Sequence, residues 1–215
     1  MTFGGTSSAS TVPDPFRILF VCTGNICRSA QGEQLLRARI PEPLQGVFDI
    51  RSAGTGALVG APMPDEAAAL SRHYGGVPEH HRGQDISADL VRESDLVLAM
   101  AAEHRSGAVQ LLPRASRYSF MFTEFGALLD DLSRNLPEPV LDEALPQHPL
   151  STRLRALVRM AAGRRGFLPA EDADPKDIVD PYRRSQQVYD ESAAQVSAGV
   201  DRILSAVVRI AGQVR

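Results

Sequence analysis

Cysteine is scarce in this sequence, long apolar runs are missing, and neither sign of charge dominates. The two cysteines among 215 residues lie five positions apart, at Cys22 and Cys27. They cannot form the disulfide framework of a small secreted domain. No apolar stretch approaches the roughly 18 residues that a membrane span needs. Lys and Arg number 23 against 26 Asp and Glu, a net charge of −3. That balance argues against nucleic-acid binding as the main role. The N-terminus lacks the basic-then-apolar order of an export signal. These absences give the expectation of a cytoplasmic protein without membrane insertion. His80 and His81 stand together, but no further His, Cys or carboxylate cluster joins them, so no metal site is expected. The glycine-rich segment 53–60 opens no adjacent helix and is no dinucleotide fingerprint, so no cofactor is expected either.

What remains is an ordinary globular composition, 43% hydrophobic, of a length that suits one domain. Residues 1–14 are Gly, Ser, Thr and Pro with almost no large apolar residue, which predicts a mobile tail ahead of a domain over 15–215. Apolar runs at Ile18–Val21, Val47–Ser52, Ser94–Met100 and Arg117–Phe122 read as four strands. Helical patterns fall between them, with no hairpin turns. This alternation predicts an α/β fold, a four-stranded parallel sheet with helices on both faces. Ligands of such sheets sit at the carboxyl ends of the strands, where the strand order reverses.

The stretch Arg17–Leu36 carries the chemistry. A short apolar strand runs into Cys22-Thr23-Gly24-Asn25-Ile26-Cys27, and after Arg28 and Ser29 the pattern turns helical. Strand, glycine-bearing loop and helix N-terminus together make an anion cradle of inward-pointing N–H groups. A thiol at the mouth of such a cradle is biased towards thiolate and acts as a nucleophile. Arg28 offers a planar fork for two phosphoryl oxygens. Asn25 suits a left-handed backbone position, and the Ser29 hydroxyl can donate to the sulfur. The competing interpretation of Cys22 is a buried structural cysteine at a strand–helix turn.

Val21–Ser29 resembles the active-site loop of the low-molecular-weight protein tyrosine phosphatases, which also lies near their N-terminus. Ala30 departs from the proline usual there. Ser52-Ala53-Gly54 followed by Gly56-Ala57-Leu58-Val59-Gly60 is similar to the bacterial branch that acts beside tyrosine autokinases in exopolysaccharide production. The resemblance implies a cysteine-dependent phosphatase acting on phosphotyrosine proteins, with a tyrosine autokinase as a candidate partner. It implies that Thr23, Gly24, Asn25, Ile26, Cys27 and Ser29 form the phosphate loop. It also makes Leu58 a pocket wall where eukaryotic relatives carry an aromatic ring, and Ser52 and His81 supports of the loop. A surface-loop leucine and a solvated histidine are the rival interpretations of Leu58 and His81.

Asp180-Pro181-Tyr182 resembles the family's general-acid loop, placed ahead of the final helix. Asp180 would protonate the leaving group and then activate water, and Tyr182 would line the pocket. Asp14-Pro15 and Asp174-Pro175 compete less well, the first lying in the tail and the second lacking the aromatic residue. Arg183 and Arg184 stand where many relatives have a second aromatic residue, which raises positive charge there. Residues of about 123–175 depart from the family as a helical insertion. Its arginines, among them Arg153, Arg155, Arg159, Arg164 and Arg165, suggest either a basic docking lid or a solvated face.

Three other functions share this pattern. Arsenate reduction needs further cysteines beyond Cys27, and there are none. A protein-arginine phosphatase is the alternative enzyme, although the resemblance there favours threonine at the position of Ile26. A catalytically silent phosphopeptide-binding module is the non-enzymatic alternative. Cys27 could also pair with Cys22 in a protective disulfide, or serve as a small buried filler.

Overall fold

Every second residue of β1 (Phe16–Cys22) faces a different core, which is why this strand is apolar throughout. Phe16, Ile18, Phe20 and Cys22 enter the larger core and Leu19 and Val21 the smaller. A strand buried on both faces belongs in the middle of a parallel sheet. The computed structural model, which describes residues 14–135, 148–168 and 176–212, places it there.

β2 (Phe48–Gly54) pairs with one side of β1, in register from Phe16 opposite Phe48 to Cys22 opposite Gly54. β3 (Leu96–Ala99) pairs with the other side, and β4 (Ser119–Met121) with β3. All pairs are parallel and the order is β2-β1-β3-β4. The chain goes one way from β1 to β2 and the other way to β3, so the order reverses beside β1. The loop after Cys22 therefore sits at the ligand position of an open α/β sheet.

On one face lie α1 (Arg28–Arg39), α5 (Phe122–Asn135), α6 (Leu150–Arg164) and α7 (Gln186–Gly212). They bury Leu35, Leu36, Phe125, Leu128, Leu154 and Val200, among others, against the even side of β1. On the other face lie α3 (Ala88–Glu93) and α4 (Ala102–Leu111), with Val91 and Ala108 packed on Leu19, Val21 and Val97. α2 (Asp65–His73) leans on α1 and α7. Ser87 caps α3, its hydroxyl accepting from Leu90 N–H at 3.1 Å, the usual task of a serine at that place.

Two expectations change. The fourth strand is shorter than the apolar pattern suggests. Pro113–Arg117 forms a 3-10 turn and Phe122 already opens α5, because its ring is needed edge-on to Phe20 in the core. The arginines of α6, with Arg165 just after it, make neither a basic docking face nor a simple solvated one. Arg153 is buried, Arg155 pairs with Asp95 and Asp14, Arg164 with Asp131, and Arg165 with Glu124. Arg165 also lies 3.9 Å over the Phe120 ring. These guanidiniums lock α6 onto the sheet and α5, and of the five only Arg159 is fully turned to solvent. The expected tail, up to residue 13, and the competing acid Asp174 lie outside the described residues.

Candidate active site

β1 delivers Cys22 to the sheet edge, and the next residues wrap against the end of β2. Thr55 N–H donates to Cys22 O at 2.9 Å and Gly56 N–H to Thr23 O at 3.1 Å. The approach is so close that a Cβ on Gly54 would meet Thr23 O at 2.3 Å, so only glycine fits there. The loop closes into α1, whose first turn carries no acidic residue. The positive end of the helix is thus left facing the loop, as an anion site requires.

Asn25 fixes the shape of the loop. Its φ of 54° is left-handed, a region that asparagine tolerates better than most residues. Gln84 N–H donates to Asn25 Oδ1 at 2.9 Å, which settles the orientation of the amide. Asn25 Nδ2 then donates to Ser29 Oγ at 3.0 Å and to Ser52 Oγ at 2.8 Å. The Ser29 hydroxyl also lies 2.9 Å from Cys22 Sγ and 3.5 Å from Ala53 O, so it is placed to donate to the sulfur when that is a thiolate. The Ser52 hydroxyl donates to Glu33 Oε2 at 2.5 Å. His81 Nε2 lies 2.6 Å from Asn25 O, so it braces the same residue from behind.

The other half of the site comes from 176–184. Ile178 N–H donates to Met100 O at 2.8 Å and Asp177 Oδ1 accepts from Ala102 N–H at 2.9 Å. This ties the base of the segment to the end of β3 and the start of α4. Arg28, 5% exposed, then reaches across. Its Nη1 donates to Ile178 O at 3.2 Å and its Nη2 pairs with Asp180 Oδ2 at 2.8 Å. Arg28 Nε is buried without a partner.

These residues enclose one cleft of about 160 Å3. Cys22, Thr23, Gly24, Ile26, Cys27 and Arg28 form its floor, Gly56 and Leu58 one wall, Asp180 and Tyr182 the other. Leu58 and Tyr182 are both exposed at its mouth. Ser29 and Asn25 stand beneath the floor and Ser52 and His81 behind them, so the structure brings every candidate site residue into one neighbourhood.

Three contributors carry no sequence signal of their own. Glu33 reads as an outward residue of α1 but turns back beneath the loop, with a side chain 14% exposed, held by Arg37 at 2.8 Å. Gln84 gives its backbone N–H to Asn25 and its side chain to Ser52 O. His104 is fully buried, with Nε2 2.9 Å from Thr23 Oγ1. Burial first, and the nearby Arg28 charge second, hold His104 down at a pKa of about 4, so its ring is neutral at pH 7. Burial, and then the neighbouring Cys22, push the Cys27 thiol up to about 12. Both cysteines are free thiols.

Comparison with known proteins bears on this geometry. The family described as low molecular weight phosphotyrosine protein phosphatase matches residues 17–159. The low molecular weight protein-tyrosine-phosphatase Etp of Escherichia coli K12 is 38% identical over 122 residues, 57% of this chain and 76% of its own. Among solved structures, the tyrosine phosphatase Wzb from Escherichia coli K30, in complex with sulphate, superposes with a TM-score of 0.59. It is 26% identical over 88% of this chain and 96% of that one. The YwlE arginine phosphatase from Geobacillus stearothermophilus has a TM-score of 0.61 at 22% identity, over 89% and 92% of the two chains. A likeness at that identity shows the shared fold alone.

Proposed function

The chain belongs to the low molecular weight phosphotyrosine protein phosphatase family, and from that premise we propose that it hydrolyses phosphotyrosine in proteins through a phosphocysteine intermediate. The observation that carries this reading is the buried, unpartnered Arg28 Nε in a cleft shared with Cys22 and Asp180. A buried donor without a partner is costly, and a phosphoryl oxygen bound in the loop relieves it. Arg28 is the group best able to hold such an oxygen.

In the first step the Cys22 sulfur attacks phosphorus while the bond to the tyrosine oxygen breaks. Asp180 gives its proton to that oxygen, which leaves as the neutral phenol. In the second step the Asp180 carboxylate takes a proton from water, whose oxygen attacks phosphorus, and the sulfur departs. The Ser29 hydroxyl, donating to Sγ, stabilises the departing sulfur. Arg28 and the loop N–H groups hold the three phosphoryl oxygens throughout, which is electrostatic preorganisation of the kind that dominates phosphoryl transfer. The chemistry assigned here calls on the chain's own residues.

Substrate choice follows from the walls. Leu58 and Tyr182 frame an apolar entrance for an aromatic ring, and Ile26, buried and apolar, favours phosphotyrosine over the polar phosphoarginine. The likeness of 52–60 to the exopolysaccharide-associated branch supports a tyrosine autokinase as the protein partner and the cytoplasm as the place of action. Among the described residues no helix is long and apolar enough to cross a membrane. For the helices α5 and α6 we assign a bracing role, because they turn apolar faces inward and ion pairs tie them to the sheet and to each other.

The test is hydrolysis of phosphotyrosine and phosphoarginine peptides side by side, without added metal, by the wild type and by Cys22→Ser. Phosphotyrosine cleavage that disappears in Cys22→Ser is expected. A preference for phosphoarginine would transfer the function to the arginine phosphatases, and cleavage of neither peptide would leave a silent phosphopeptide-binding module.

A further inference from the structure

The turn that follows Asp180 holds a residue in a conformation most side chains avoid. Arg184 N–H donates to Pro181 O at 2.9 Å, which closes a four-residue turn. Its third residue, Arg183, has a φ of 60°. Glycine and asparagine are the residues suited to positive φ at that place, and a long side chain there is strained. Strain of this kind persists where the surroundings hold it, and here the turn bond and the contact with the Tyr182 ring do so. Tyr189 on α7, six residues further on, is buried in the same cluster as Cys27 of the phosphate loop.

The strained turn places charge at the mouth of the cleft. The Arg183 guanidinium carbon lies 5.0 Å from the centre of the Tyr182 ring, within cation–π range, and Tyr182 is a wall of the cleft. Arg183 and Arg184 are both exposed, and among the described residues no carboxylate of the chain pairs with either. Arg155, Arg164 and Arg165 differ in this respect, since Asp95, Asp131 and Glu124 engage them. Among the described residues the one carboxylate lining the cleft is Asp180, already held by Arg28. Two guanidiniums, one of them against the ring that lines the cleft, leave a positive rim that no carboxylate among the described residues neutralises.

We propose that Arg183, assisted by Arg184, is a specificity residue that selects phosphotyrosine sites with an acidic side chain beside the phosphotyrosine. This deepens the phosphatase reading and rests on it. Arg183 does not touch the reacting atoms. Its guanidinium lies at the edge of the entrance, where a glutamate or aspartate adjacent to the bound phosphotyrosine arrives.

The experiment compares kcat/KM for two phosphotyrosine peptides that differ only in flanking Glu or Gln, with p-nitrophenyl phosphate as a flank-free reference. The wild type is expected to favour the Glu peptide by about fivefold at low salt, the upper range for an exposed ion pair. That preference is expected to collapse at about 0.5 M salt through screening. In Arg183→Asn, which keeps a residue suited to positive φ, the Glu-to-Gln ratio should fall to about one. In Arg184→Gln it should fall only part of the way. Turnover of p-nitrophenyl phosphate with no Glu preference in the wild type overturns the proposal alone. A Glu preference that survives in Arg183→Asn overturns the assignment to Arg183. Failure of the wild type to hydrolyse even p-nitrophenyl phosphate would strike the phosphatase reading itself, and the proposal with it.

Discussion

Arg28 and Asp180, 152 positions apart in the chain, meet in an ion pair of 2.8 Å between Nη2 and Oδ2. The arginine is buried on α1 and the carboxylate half-exposed on the segment before α7. The pair joins the loop to the residue proposed as its acid, and holds Asp180 at the wall of the cleft.

Asp180→Asn removes the proton donor but keeps the shape. On this account kcat for a poor leaving group such as phenol falls by roughly 10²- to 10⁴-fold. For an activated leaving group such as p-nitrophenol the fall is much smaller, since that oxygen needs little protonation. A kcat series across substituted aryl phosphates measures this, and equal losses for all leaving groups would remove Asp180 from the role of acid.

Ser29→Ala removes the hydroxyl that the Asn25 amide holds 2.9 Å from Cys22 Sγ. The attacking sulfur loses one hydrogen bond, and the departing sulfur loses the donor that stabilises it. Breakdown of the phosphocysteine should therefore slow by about tenfold, the worth of one such bond. A pre-steady-state burst of phenol is expected to appear or to grow. A variant with unchanged burst and turnover would show that the hydroxyl acts only in packing.

These two residues also mark how far the sequence alone could be read. Cys22, Arg28 and Ser29 are local, a fixed spacing at a strand–helix junction, and spacing is what a sequence displays. Asp180 needed the neighbouring Pro181 and Tyr182 to be distinguished from other Asp-Pro pairs. Glu33 was hidden because helical periodicity assigns it to the outside. Only the approach of β2, bringing Ser52 to within 2.5 Å, makes it part of the site. His104 was hidden for a different reason: α4 has no clear apolar stripe, so nothing marked its third residue as buried against Thr23. The α6 arginines misled because a sequence counts charges but not the carboxylates that tertiary packing sets opposite them.

His104 gives a pH dependence with a definite sign. Its folded pKa of about 4 lies below the ordinary value of 6.5, so between those limits the unfolded chain binds more protons than the folded one. Stability from this group is complete above pH 6.5 and is lost as pH falls towards 4. Urea unfolding at pH 7 and at pH 4.5 should show wild type losing about 2–3 kcal/mol more than His104→Gln over that interval. Parallel losses in the two proteins would mean that His104 is not buried neutral.

Cys27 should be unreactive where Cys22 is not. With its thiol pushed up to about 12, Cys27 carries almost no thiolate at pH 8, and the thiolate is the reactive form. Iodoacetamide at pH 8 is expected to label Cys22 alone, with protection by inorganic phosphate. Peptide mapping that finds Cys27 labelled at a comparable rate would contradict this assignment.

The covalent intermediate is the centre of the account, and trapping it is the most direct measurement. Wild-type protein mixed with a phosphotyrosine substrate, quenched within milliseconds and digested, should yield a peptide bearing one phosphate on Cys22. The yield should increase in Ser29→Ala and vanish in Cys22→Ser. Turnover of phosphotyrosine with no phosphate on Cys22, or with phosphate on another residue, would contradict nucleophilic attack by this cysteine.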